Sequence, residues 1–109
     1  DRAQLEQAVA AAKAAFPAWA ALGYAARGAL VARLADALEA DKEGLAHLLT
    51  TEQGKPLRQA MGEVMIGIAQ LRHHAAERGE PVVLKETDKV RIVEHRTPLG
   101  VVAAISTWM

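Results

Sequence analysis

Up to Gly79 the apolar positions of this chain recur every three or four residues, and beyond it they alternate or run together. Leu5, Val9, Ala12 and Phe16 fall on one stripe of an amphipathic helix, with Glu6, Gln7 and Lys13 elsewhere. Pro17 predicts a stop or bend there, because its ring removes a backbone donor and crowds the preceding turn. A second helix is predicted to start after Gly23 and run to about Asp41, with Leu30, Leu34 and Leu38 spaced i, i+4 and Arg27, Arg33, Asp36 and Glu39 on the wetter side. Leu45, Leu48 and Leu49 continue a shorter helical pattern as far as "TEQGKP". In that stretch Gly54 suits a left-handed position after a helix end, and Pro56 suits the first turn of the next helix. From Leu57 onward Met61, Val64, Ile68, Leu71 and Ala75 mark a long helix packed along its length, ended by Gly79 and Pro81.

The period then changes. "PVVLKETDKVRIVEHR" holds two runs rich in Val and Ile split by the polar "ETDK", which predicts an antiparallel hairpin. "LGVVAAI", after Pro98, is a short continuous apolar run of the kind found in a strand covered on both faces in a parallel sheet. A parallel sheet of one strand cannot exist, since each parallel partner is reached through a crossover of about a dozen residues or more. The pattern is therefore that of the opening of a longer α/β fold: helices over 1–79, a hairpin over 80–97 and a first sheet strand over 98–109.

Composition narrows the function. With 109 residues there is material for one modest core, and Ala-rich sequence with 4% aromatics favours helices over a dense aromatic interior. Equal numbers of acidic and basic residues leave no net field to gather nucleic acid or an anionic membrane, so neither partner is expected. There is no Cys, which excludes disulfides, thiolate metal sites and a Cys nucleophile within this chain. No stretch approaches the roughly 18 to 20 consecutive apolar residues of a bilayer span. The opening residues are too charged for a signal peptide, and a cytoplasmic location is expected.

"AFPAWAAL", "RGALVARLADALEAD", "LLTTEQGKPLRQAMGEV" and "HRTPLGVVAAISTWM", in this order and spacing, resemble the amino-terminal part of the NAD(P)-dependent aldehyde dehydrogenase superfamily. The resemblance covers nearly the whole chain, and its most specific pieces are the E-x-G-K-P turn and the R-x-P-L-G-V-V-x-x-I run. It implies that the helices pack on the cofactor-binding domain and that Pro81–Arg96 belongs to the oligomerisation region. It further implies that the "GVVAAI" run opens the cofactor-binding sheet, so the fold class is α/β and the chain a fragment of the full fold. By the same resemblance Ile105, Ser106, Thr107 and Trp108 border NAD or NADP, with tight cofactor binding not expected of this chain alone. Thr107 stands where the family commonly has Pro, and Met109 stands where it uses Asn to hold the oxyanion. Met has no hydrogen-bond donor to offer an oxyanion.

The family reaction needs a Cys thiolate to attack the aldehyde, an oxyanion donor, hydride transfer to NAD(P), and a Glu that assists thioester hydrolysis. The nucleophile is absent here, so this chain is expected to be inactive alone and to contain no catalytic residue. A non-catalytic helical module used for interaction or assembly is the alternative reading. Homo-oligomerisation is expected in either case, because the hairpin or the strand Leu99–Ile105 offers an edge to a neighbouring copy.

Three further features have plainer readings. Lys55 in "GKP" lacks the glycine spacing of a phosphate loop and is read as part of a capped turn. Neighbouring His73 and His74 point about 100° apart on a helix, so no metal is expected there. Glu52 and Glu63 are read as solvated helix charges.

Overall fold

The computed structural model describes residues 1–106, which form four helices followed by a two-stranded antiparallel sheet. The described chain divides into two compact units. Of the described residues, one joins Asp1–Tyr24 to residues 78–106, and the other is Ala25–Glu77.

In the first unit, α1 (Arg2–Ala21) begins where the Asp1 carboxylate accepts the Gln4 N–H at 2.9 Å. That cap satisfies one of the free donors of the first turn. The helix does not stop at Pro17 but runs on to Ala21. Pro17 removes only the bond to the Lys13 carbonyl, and on this exposed stretch water can satisfy that carbonyl instead. Leu5 is 64% exposed and Phe16 half-buried, so the predicted stripe lies largely open among the described residues. Near the start of the returning chain, the Tyr24 ring occupies the space a Cβ on Gly79 would take.

The hairpin follows as β1 (Val82–Glu86) and β2 (Arg91–Glu94). Val83 pairs with Val93 and Lys85 with Ile92, leaving Leu84 as the extra residue of a bulge. The Thr87 N–H donates to the Val90 carbonyl at 2.8 Å, and the Thr87 hydroxyl accepts from the Val90 N–H at 3.0 Å. Those bonds close the "ETDK" turn by local side-chain chemistry. Beyond β2 the predicted strand Leu99–Ile105 does not join a sheet; these residues have no strand pairing. The reason is that a buried parallel strand takes its geometry from partners reached through crossovers, and the described chain contains none.

The second unit packs α2 (Tyr24–Ala40), α3 (Lys42–Gln53) and α4 (Leu57–Ala75) around a small core of Ala35, Ala46, Ala60 and Ile68. The α4 stripe behaves as its spacing predicts, with Ile68 buried and Met61, Val64, Leu71 and Ala75 half-buried. The α2 stripe does not: Leu30 and Leu34 are exposed, and the helix meets its neighbours through Gly28 and Ala35. Small residues let helix backbones approach closely, which a leucine ridge on that face would prevent.

The α3–α4 turn has the predicted form. Gly54 takes φ 72° and its N–H donates to the Thr50 carbonyl at 2.8 Å, while α4 ends at Ala75, short of Gly79. Lys55 is more than a turn residue, since its ammonium pairs with the Glu63 carboxylate and its side chain is only 19% exposed. Glu63 is a solvated helix charge as read, its side chain 51% exposed, and Lys55 gives it a partner the reading did not include. Replacing Gly54 by Ala is expected to cost about 1 kcal/mol, because a Cβ is disfavoured in the left-handed region. Gly62→Ala, inside α4 with open space around the new methyl, should stabilise by roughly 0.5 to 1 kcal/mol. Thermal melts of the two variants check this: shifts of equal sign would contradict the helix boundaries.

Candidate functional site

The residues predicted to border a cofactor close the chain, and their placement starts at the hairpin. Leaving β2, Arg96 donates from Nη1 to the Arg78 carbonyl at 3.4 Å and lies 3.5 Å from the Glu94 carboxylate. These long contacts tie the exit of β2 loosely to the start of the returning chain. Gly100 then adopts φ 98°, a conformation that L side chains rarely take, and turns the run toward α1. Gly100, Val101 and Val102 line one side of a shallow apolar groove of about 330 Å³. Ala12, Phe16 and Trp19 of α1 line the other.

Past that groove the run is open to solvent. Val102 is 69% and Ile105 95% exposed, as is Leu99 before the turn. Of the four predicted cofactor residues, Ile105 and Ser106 therefore sit on an exposed, extended segment of small and apolar side chains. Thr107 and Trp108, and with them Met109, lie outside the described residues. The described residues from Ala103 to Ser106 carry small or apolar side chains and no titratable group.

Charged groups gather elsewhere, in the second unit. The Arg72 guanidinium on α4 reaches Asp36 at 2.9 Å and Glu39 at 2.5 Å, both on α2. The two acids assigned to the wetter side of α2 thus hold it against α4. The hydrogen bond from Arg72, then its charge, holds the Glu39 carboxyl below the usual carboxylate range. The hydrogen bonds that Arg72 donates to Glu39 and Asp36 in turn push its own pKa further up. A carboxylate with a lowered folded-state pKa contributes stability that is present above its unfolded pKa and lost as pH falls through the lowered value. Helical signal against temperature, from pH 7 to pH 3, is therefore expected to fall more steeply for the native chain than for Arg72→Gln. Parallel pH dependence in the two would contradict the clamp, and salt should weaken it because all three groups are exposed.

Neither cluster was visible in the sequence pattern, since Arg72 lies far along the chain from its partners and Glu63 is eight residues from Lys55. His73 and His74 meet edge to face with ring centroids 5.3 Å apart, and His74 Nδ1 lies 3.1 Å from the Glu77 carboxylate. Among the described residues no three His, Cys, Asp or Glu side chains are grouped to hold a metal ion. No helix among them is long and apolar enough to cross a membrane.

Among the described residues the chain thus offers four helices, a two-stranded hairpin and a small-residue run that pairs with no strand. The profile of the Aldehyde dehydrogenase family matches residues 1–109, and the chain belongs to that family as an amino-terminal portion. It is 43% identical over 107 residues to an alpha-ketoglutaric semialdehyde dehydrogenase of Bacillus subtilis, covering 95% of this chain and 22% of that protein. It is 36% identical over 110 residues to a glutarate-semialdehyde dehydrogenase of Pseudomonas putida, covering 97% of this chain and 23% of the other. A mitochondrial methylmalonate-semialdehyde/malonate-semialdehyde dehydrogenase (acylating) of Rattus norvegicus is 36% identical over 113 residues, with coverage of 98% and 21%. The chain thus spans a little over a fifth of the length of these relatives.

Proposed function

We propose that this chain supplies the opening helices, the hairpin and the first cofactor-binding run of an NAD(P)-dependent aldehyde dehydrogenase, whose reaction oxidises an aldehyde to a carboxylic acid. The observation that carries the reading is the family match along the full 109 residues, including the run that ends in Trp108. Ile105, Ser106, Thr107 and Trp108 are assigned to border the nicotinamide cofactor, which accepts hydride in the family reaction. The chain's own contribution in this reading is positional: it presents backbone and small side chains along one side of the cofactor. It supplies no nucleophile, because it has no Cys.

The chain also self-associates in this reading. Both strands of the hairpin have a free outer edge within the described sheet, and Val82, Leu84 and Ile92 are 49%, 61% and 46% exposed. A two-stranded sheet with open edges gains most by pairing with a second copy, through the hairpin or through Leu99–Ile105.

Both parts are tested on the chain as it stands. Incubated with NAD or NADP and an aldehyde, it is expected to give no reduced nicotinamide above a buffer blank, whereas a rate proportional to added chain would overturn the assignment. In sedimentation it should run as an oligomer at micromolar concentration, and Val102→Lys should dissociate it, because burying an unpaired charge costs several kcal/mol. A folded monomer indifferent to that substitution would defeat the association.

A further inference from the structure

We draw no further inference here: the strongest candidate, the apolar groove of about 450 Å³ between α3 and α4 lined by Leu45, Leu49, Val64, Ile68 and Leu71, carries nothing new, because nothing in the structure shows what covers it and its burial against the cofactor-binding domain would restate an established property of the family.

Discussion

Joined to the downstream part of a relative such as the Bacillus subtilis semialdehyde dehydrogenase, this chain is expected to turn over aldehyde ~100- to 1000-fold faster with Met109→Asn than with Met109 in place. The size follows from what an oxyanion donor contributes. As the thiolate adds to the carbonyl, negative charge collects on oxygen, and a donor aimed at that oxygen stabilises the transition state more than the substrate. By resemblance the family has Asn at this position of the sequence, where this chain has Met109, whose thioether has no donor. The loss should fall on kcat, with KM for nucleotide little changed, because Met109 is assigned no contact needed to hold the cofactor. Steady-state rates of the two chimeras, normalised to folded protein, decide the matter, and equal kcat values would remove Met109 from the oxyanion position.

Gly28→Ala is expected to destabilise the helical unit by about 2 kcal/mol, lowering its melting temperature by roughly 10 °C. A Cβ at Gly28 would lie 2.2 Å from the Ala75 carbonyl oxygen and 3.3 Å from its carbon. Both are backbone atoms of α4, so relief requires that the two helices separate. Overpacking of this kind costs about 1 to 3 kcal/mol, and the better helix propensity of Ala returns up to about 1 kcal/mol. Separation would also lengthen the Arg72 contacts to Asp36 and Glu39, and the loss should therefore exceed that of Gly54→Ala. Circular dichroism melts of both variants provide the comparison. A neutral or stabilised Gly28→Ala would show that α2 and α4 do not approach as closely as described.

The element order was legible because each helix carries its own punctuation. Gly23 separates α1 from α2, and Gly54 with Pro56 separates α3 from α4. The change to Val-rich runs after Pro81 likewise marks the hairpin. What periodicity could not tell was which face of α2 turns inward. Leu30 and Leu34 make the stronger apolar signal, yet Gly28 and Ala35 make the contact, because shape and not hydrophobicity limits how near two backbones come. The bulge at Leu84 was equally hidden, since alternation along one strand does not report its register against another.

The candidate site was legible only through resemblance. A run of small side chains has no titratable residue or metal-ligand spacing to mark it, so Ile105 and Ser106 read as the ordinary end of an apolar run until the whole R-x-P-L-G-V-V-x-x-I run is compared with a family. The missing strand pairing has the same origin. Local sequence encodes that Leu99–Ile105 is apolar on both faces, but the partners that would make it a strand come from elsewhere in the fold.

The central claim, that these residues are the working front of an aldehyde dehydrogenase, is tested most directly by the absolute activity of the chimera carrying Met109→Asn. Reduction of the nicotinamide, followed by absorbance, with the relative's own aldehyde should proceed within about tenfold of the intact relative, since a loss of about 1.4 kcal/mol from imperfect packing at the junction corresponds to about one factor of ten. A chimera that is folded, yet shows no nucleotide-dependent oxidation, would contradict the account.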